Sequence, residues 1–151
     1  MVLVEMFLTH SDYLKLLKDP KYYEQVTNLL QDAFGYRGVQ YFVPAGGFFA
    51  ALRTTSRDIV ACARVSPLLG SSGSYLIRNI VVGSTYRGKG LCPKLLKEVF
   101  RELKKKGGEK LVLDVDPSNM AAVKCYTGVG FVPMGTKTYN EKEYTRMVKE
   151  F

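Results

Sequence analysis

Residues 74–96 read SYLIRNIVVGSTYRGKGLCPKLL and join a strand-like run to a glycine-rich turn and a helical pattern. The run 74–82 predicts a strand, because its Ile, Val and Tyr side chains favour extended backbone. Apolar residues recur at helical spacing after the turn, so a long amphipathic helix is predicted over 88–106, ended by Gly107 and Gly108. A glycine-rich turn between a strand and a helix indicates a candidate binding site for an anion.

The turn has the chemistry that a phosphate group requires. Backbone N–H groups in the first turn of a helix have no intrahelical partner, and the helix dipole attracts negative charge. Gly88 and Gly90 would let the backbone approach a phosphate closely, while Arg87 and Lys89 add positive charge. The dinucleotide pattern GxGxxG fails because Pro93 stands at its third glycine position. On spacing alone, a tight turn without a ligand is an equally good interpretation.

The flanking segments complete a mixed pattern of helices and strands. Ser11 and Asp12 suit the N-cap of a first helix, and Asp116 followed by Pro117 is typical of a helix start. The order of elements after residue 74 predicts a partly parallel sheet. The other predictions are strands at 2–8, 48–52, 58–65, 110–115 and 144–149, a strand beginning at Phe131, a helix at 21–34 and a loop at 35–47.

The composition is that of one globular domain. The chain has 151 residues, of which 46% are hydrophobic and 24% charged, so a single domain with an ordinary core is expected. No apolar run approaches the roughly 20 residues of a membrane helix. The first ten residues lack the basic cluster of a secretory signal. We therefore expect a cytoplasmic protein without a membrane segment.

The cysteine and histidine content limits the disulfide, metal and nucleophilic chemistry that the chain can support. Cys62, Cys92 and Cys125 are an odd count without CxxC spacing, which argues against a disulfide framework and for a reducing compartment, the cytoplasm or the nucleus. His10 is the single histidine, so HExxH zinc chemistry is excluded and no metal is expected. A Ser-His-Asp or Cys-His arrangement could be built only around that one residue.

Positive charge is concentrated in one part of the chain. The net charge is +8, and residues 87–110 contain nine basic and three acidic side chains. A general nucleic-acid binder more often spreads Lys and Arg along a whole face. The concentration of basic residues after the glycine turn favours binding of a small, localised anion. The alternative is that these residues form a solvated helix face without a ligand.

Two motifs carry a resemblance to a known family. Residues 79–91 resemble the acetyl-coenzyme A signature of the GNAT superfamily of N-acetyltransferases, a strand of the form IxV followed by R/Q-x-x-G-x-G/A. Residues 119–131 are similar to the family's second element, NxxAxxxYxxxGF. Two elements in this order, about 30 residues apart, are far more specific than either alone. The last signature position departs from the pattern, because it is Cys92, interpreted as a small buried residue or as a thiol of lowered pKa.

The resemblance implies an α/β (α+β) fold. The expected structure is one N-acetyltransferase domain over 1–151, with a mixed, mostly antiparallel central sheet of about six or seven strands flanked by about four helices. Acetyl-CoA is the implied cosubstrate, and an amine attacks its thioester directly. The implied cofactor-binding residues are Ile80, Val81, Val82, Arg87, Gly88, Lys89, Gly90, Leu91, Cys92, Asn119 and Tyr126.

The resemblance also implies catalytic roles. Tyr126 would protonate the leaving thiolate, although it could instead be a core aromatic residue. Asn119 would hold the pantetheine amide, or merely start a helix. Many relatives carry a carboxylate on the strand before the glycine turn, where this chain has Arg78 and Asn79. Asp114 is therefore the candidate general base, and the alternatives are Asp116, a few weaker N-terminal carboxylates, a bound water, or no base at all.

Several functions agree with these motifs. The first is acetyl transfer to a primary amine, which could be a small amine, a polyamine, a lysine or an N-terminal amine. The alternatives are a non-catalytic CoA-binding regulatory module, an acetyltransferase for an amino-sugar phosphate and a nucleic-acid binder. Acidic residues in segment 1–34 hint at a cationic acceptor, whereas Arg78 allows an anionic one. Acetyl-CoA and an amine are the expected partners, without a membrane or nucleic acid, and a homodimer is allowed.

Overall fold

A seven-stranded sheet and four α-helices make up the computed structural model, which describes residues 2–34 and 45–151. The strands are β1 Leu3–Leu8, β2 Phe48–Thr54, β3 Ile59–Pro67, β4 Ser74–Val82, β5 Lys110–Val115, β6 Val132–Tyr139 and β7 Lys142–Glu150. The helices are α1 His10–Leu16, α2 Pro20–Phe34, α3 Leu91–Lys105 and α4 Met120–Gly128. The 3₁₀ turn Ser84–Tyr86 follows β4.

The sheet has the order β1-β2-β3-β4-β5-β7-β6. Neighbouring strands are antiparallel except β4 and β5, which are parallel. The predicted mixed, mostly antiparallel sheet is therefore confirmed. None of the helices within the described residues is long and apolar enough to cross a membrane.

Helices cover both faces of the sheet, which explains why β2 shows no alternation of polar and apolar residues. Phe48 and Ala50 of this strand pack in the core shared with α3 and α4. Phe49 and Ala51 point to the opposite face and pack in the core shared with α1 and α2. Successive side chains of a strand point to opposite faces, so a strand covered on both sides is apolar throughout.

The sheet opens between its two parallel strands. β4 pairs with β5 only at residues 74–76, although β4 continues to Val82. Ala63 of β3 lies opposite two residues of β4, Asn79 and Ile80, because the register changes between Cys62 and Arg64. Asn79 has a positive φ of 56°, a conformation that Asn tolerates better than most residues. This bulge leaves one residue outside the ladder and bends the strand beside the opening.

Three helix starts differ from the sequence prediction. Thr9 caps α1, since its Oγ1 accepts a hydrogen bond from Asp12 N at 3.2 Å. α3 begins at Leu91 rather than residue 88, because Gly88 and Gly90 have left-handed φ values of 75° and 73°. α4 begins at Met120, so its predicted start at residues 116–117 is wrong.

The start of α4 is moved by local hydrogen bonds. Asp116 Oδ1 accepts hydrogen bonds from Ser118 N and Oγ, which forms a turn before the helix. Asn119 is the N-cap, and its Oδ1 accepts from Ala122 N at 3.2 Å. The loop predicted at 35–47 lies outside the described residues over 35–44.

Candidate active site

Two clefts meet on one side of the opening between β4 and β5. The loop cleft, of about 640 Å³, is lined by the glycine turn, the first residues of α3 and one side of α4. The hairpin cleft, of about 710 Å³, is lined by β4, the end of β5 and the tip of the β6–β7 hairpin. Five residues line both clefts and so mark their junction: Phe34, Ile80, Asn119, Ala122 and Tyr126.

The loop cleft presents backbone to its occupant. A Cβ added at Gly88 or Gly90 would meet no heavy atom of the described chain within 4 Å, so the space beside both glycines is open. The first helical hydrogen bond of α3 joins Lys94 N to Gly90 O at 3.3 Å. The N–H groups of Leu91 and Cys92 precede this bond, and Gly90 supplies no side-chain cap. This open backbone with its N–H donors fits a pyrophosphate.

Two basic residues of the turn have different surroundings. Arg87 Nε donates to Val82 O at 3.4 Å, which ties its side chain to the end of β4. Lys89 lies outside the lining of the loop cleft, and its Nζ is 5.6 Å from the ring centre of Tyr86. Of the predicted cofactor-binding residues, Lys89 alone does not line the loop cleft; their roles in binding stay predictions.

A disulfide joins the two helices that border the loop cleft. Cys92, in the first turn of α3, is bonded to Cys125 of α4, and both residues line the cleft. The expectation of no disulfide was therefore wrong, because two distant cysteines are brought together by helix packing that their spacing does not show. Cys62 remains a free thiol in the core, where burial raises its pKa to about 12.

Tyr126 lies at the junction of the clefts. Its side chain is buried and packs edge-on against Phe131, with ring centres 6.0 Å apart. Desolvation raises the pKa of Tyr126 to about 12, so its hydroxyl is protonated at neutral pH. Asn119 lies beside it, and because its Oδ1 caps α4, its Nδ2 donors are the polar group left for a ligand.

The hairpin cleft contains Asp114 in a pair with Arg146, its directly opposite residue on β7. Arg146 Nε and Nη2 donate to the two carboxylate oxygens at 2.8 and 3.0 Å, and Tyr139 Oη donates to Oδ2 at 3.0 Å. Partial burial acts to raise the pKa of Asp114. The hydrogen bonds from Arg146 and Tyr139, with the charges of Arg146 and Arg78, outweigh burial and hold that pKa below its ordinary value.

Both carboxylate oxygens of Asp116 also have partners within the chain. Lys142 Nζ lies 2.7 Å from Asp116 Oδ2, and Ser118 donates two hydrogen bonds to Oδ1. The hydrogen bond from Lys142, followed by those from Ser118, lowers the pKa of Asp116 to about 2. Both candidate bases therefore have their oxygens occupied by partners of this chain. Among residues 2–34 and 45–151, no three His, Cys, Asp or Glu side chains form a group that could hold a metal ion.

A comparison with known protein families matches the part of the chain that contains the predicted site residues. A sequence model of the acetyltransferase (GNAT) family matches residues 10–131, a span that includes both motifs and both clefts' junction residues. The chain belongs to this family. The resemblance predicted from the glycine turn and the second element is thereby confirmed.

Two proteins named as N-acetyltransferases are similar over parts of their length. The uncharacterized N-acetyltransferase YobR of Bacillus subtilis is 31% identical over 109 residues, which are 72% of this chain and 42% of YobR. N-alpha-acetyltransferase 30 of Saccharomyces cerevisiae is 33% identical over 55 residues, which are 36% of this chain and 31% of that protein. The chain thus spans less than half the length of either relative.

Solved structures share the fold. An aminoglycoside acetyltransferase, AAC(6')-Ib in complex with coenzyme A, superposes with a TM-score of 0.72 at 22% identity, covering 99% of this chain and 95% of that one. The ribosomal-protein-S18-alanine N-acetyltransferase from Escherichia coli gives a TM-score of 0.72 at 20% identity, covering 97% and 91%. The predicted GNAT-like fold is therefore confirmed.

Sequence reasoning missed the residues that β6 and β7 bring to this region. Arg146, Tyr139 and Tyr144 were not among the predicted site residues, although Arg146 and Tyr139 bind Asp114, and Tyr139 and Tyr144 line the hairpin cleft. Residues 142–146 of β7 carry polar groups throughout and Tyr139 lies on β6, so no local pattern distinguishes the three residues. Their position follows only from the register that sets Arg146 opposite Asp114.

Proposed function

We propose that the protein transfers the acetyl group of acetyl-CoA to a primary amine by direct attack of the amine on the thioester carbonyl. The observation that carries the proposal is the meeting of the two clefts at Tyr126 and Ile80. A cosubstrate in the loop cleft and an acceptor in the hairpin cleft would bring their reacting groups together there. Such positioning by itself supplies much of the rate in a two-substrate reaction.

Residues of the loop cleft would hold acetyl-CoA. The open backbone at Gly88 and Gly90 and the N–H groups of Leu91 and Cys92 suit its pyrophosphate. Residues 80–82 and Asn119 would bind the pantetheine arm, β4 through its backbone and Asn119 through Nδ2. Coenzyme A in the structure of the similar aminoglycoside acetyltransferase supports this choice of cosubstrate.

Tyr126 is the residue suited to the leaving sulfur. As the amine nitrogen bonds to the carbonyl carbon, the C–S bond breaks and the sulfur accepts a proton. The hydroxyl of Tyr126 lies at the junction and stays protonated at neutral pH, so it can donate to the departing thiolate. A pKa of about 12 favours a strong hydrogen bond to sulfur over a long-lived ionised tyrosine.

We propose a positioning role for Asp114 in place of the role of general base. Its oxygens accept three hydrogen bonds from Arg146 and Tyr139, and its lowered pKa makes it a weak base. The proton of the amine would then leave to water, or the acceptor would react as its uncharged fraction. Asp114 would instead pair with Arg146 and hold Tyr139 in the wall of the hairpin cleft.

A mass-spectrometric transfer assay tests the proposal. The protein is incubated with acetyl-CoA and a panel of primary amines, and both the acetylated amine and free coenzyme A are quantified. The expected result is acetylated product in stoichiometric balance with released coenzyme A, beyond the release in the absence of amine. Binding of coenzyme A without acetylation of any amine would instead support a non-catalytic CoA-binding module. The ion pairs of Asp114 and Asp116 favour this alternative, because they leave neither carboxylate free to act as a base.

A further inference from the structure

The charges of the hairpin cleft do not balance. Among residues 2–34 and 45–151, its lining contains two carboxylates and one guanidinium: Asp114, Asp116 and Arg78. Asp114 is neutralised by Arg146 and Asp116 by Lys142, at distances of 2.8 and 2.7 Å. Neither carboxylate has a further need for a cation, so the positive charge of Arg78 is in excess.

Arg78 is available to a ligand. Arg78 is exposed and lies on β4, one position before the bulge at residues 79–80. Within residues 2–34 and 45–151 its guanidinium forms no hydrogen bond and no ion pair with the chain. Arg78 lines the hairpin cleft together with Asp114, and its charge helps to hold the pKa of that carboxyl below its ordinary value.

We infer that Arg78 selects an acceptor that carries an anionic group, a carboxylate or a phosphate, in addition to its reactive amine. This inference rests on the proposed acetyl transfer and names the substrate class of the same site. A guanidinium binds either anion through two parallel hydrogen bonds, which fixes orientation as well as charge. The other end of such an acceptor, its amine, would then face the junction.

The spacing suits a small molecule. Arg78 and Ile80, a junction residue, are two positions apart on β4, and both line the hairpin cleft. An acceptor whose amine and anionic group are separated by a few bonds, such as a free amino acid or an amino-sugar phosphate, suits contact with both residues.

A purely cationic acceptor finds no unpaired carboxylate among the described residues that line this cleft. A polyamine would meet Arg78, while the carboxylates that could attract it are already paired with Arg146 and Lys142. The acidic residues of segment 2–34 do not line the hairpin cleft, where Phe34 is the residue from that segment. Asp32, one of these acidic residues, lines the loop cleft instead. The hint of a cationic acceptor from the N-terminal charge is thus unsupported by the position of those charges.

Matched pairs of acceptors test the inference. Each pair differs by one anionic group: cadaverine and lysine, ethanolamine and phosphoethanolamine, glucosamine and glucosamine 6-phosphate. We expect at least one anionic member to have a kcat/KM about 10–100-fold above its partner without the anionic group, the range for a charge-assisted hydrogen bond. A preference for lysine would indicate a carboxylate site, and a preference for phosphoethanolamine or glucosamine 6-phosphate would indicate a phosphate site.

Variants assign the preference to Arg78. Arg78→Gln should reduce the preference to within about threefold, through a higher KM for the anionic member and a kcat/KM for the purely cationic partner that is no lower than in the unchanged protein. Arg78→Lys should retain part of the preference, since charge remains but the paired hydrogen bonds are lost. Lys97→Gln removes one exposed charge of α3 outside both clefts and should change neither value.

Two results would overturn the inference alone: amines without an anionic group acetylated as well as their anionic partners, or a preference that survives in Arg78→Gln. An absence of acetylated product with every amine would overturn the proposed function and this inference with it. Equal melting temperatures of Arg78→Gln and the unchanged protein would show that the variant is folded.

Discussion

The loop cleft and the hairpin cleft present different chemical groups to a ligand. The loop cleft offers open backbone at two glycines and the first N–H groups of α3. The hairpin cleft offers side chains from four strands, β4, β5, β6 and β7. A backbone site binds what is common to a class of ligands, such as a pyrophosphate, whereas side chains of distant strands determine which acceptor fits. The first site should be insensitive to many surface changes and the second should be changed by single substitutions.

The largest effect should come from the residue that both clefts share. Tyr126→Phe removes one hydroxyl and keeps the ring packed on Phe131, so we expect kcat to fall about 10²–10⁴-fold with little change in KM for acetyl-CoA. Steady-state kinetics measures both constants. Tyr22→Phe is the matched control, because Tyr22 is equally buried but packs in the core on the other face of the sheet. A Tyr126→Phe protein with undiminished kcat would make Tyr126 a core residue only.

The disulfide should matter to the loop cleft more than to the hairpin cleft. Its cysteines are 33 residues apart, so reduction should lower the free energy of unfolding by about 3–4 kcal/mol in the chain-entropy account. Reduction should also raise KM for acetyl-CoA more than KM for the amine, since both cysteines line the loop cleft. Denaturant unfolding and kinetics with and without a reductant measure these effects. The Cys92→Ser/Cys125→Ser double variant should not respond to the reductant; an equal response would implicate another group.

A smaller effect is expected at the ion pair of the hairpin cleft. Asp114→Asn leaves Arg146 without its carboxylate and should lower stability at pH 7 by about 2–3 kcal/mol, less than for a fully buried pair because solvent reaches both groups. Since folding lowers the pKa of Asp114, its contribution is present above its unfolded pKa and is lost as the pH falls below it. Unfolding at pH 7 and pH 3 should therefore show a smaller difference between the two proteins at pH 3 than at pH 7.

The same substitution separates the roles of Asp114. A positioning residue should alter the KM of the amine and leave the shape of the pH–rate profile unchanged. A variant whose turnover slows about 100-fold or more, and whose pH–rate profile loses its acid limb, would restore Asp114 as the general base.

The smallest effect concerns stability at high pH. The pKa of Tyr126 is about 12 in the folded protein and near 10 when unfolded, so the unfolded chain ionises first and stability falls between these values. From pH 10 to 12 the unchanged protein should lose about 2 kcal/mol relative to Tyr126→Phe. Cys62 and Tyr13 also titrate at raised pKa values, but they are present in both proteins and cancel. Parallel loss of stability in the two proteins would contradict burial of this phenol.

The difference between the clefts also explains what the sequence could predict. The glycine turn is contiguous, so its role follows from local conformation, and the bounds of β4 and β5 agree with the predicted 74–82 and 110–115. The start of α4 was misjudged because Asp116 and Asn119 are both good caps, and hydrogen bonds to Ser118 decide between them. Partners that depend on register or helix packing, such as Arg146 for Asp114 and Cys125 for Cys92, leave no local signal.

Calorimetric titration with coenzyme A tests most directly whether backbone of the glycine turn, rather than the basic side chains, binds the cosubstrate. Gly90→Asp puts a carboxylate where a phosphate must approach and should raise Kd about 10–100-fold. Gly107→Asp is the matched control at the other end of α3, with a φ of 76° and equally open space, and Arg78→Gln changes only the hairpin cleft. Both should bind coenzyme A within about twofold of the unchanged protein. Equal losses in Gly90→Asp and Gly107→Asp, or a loss in Arg78→Gln as large as in Gly90→Asp, would contradict the account.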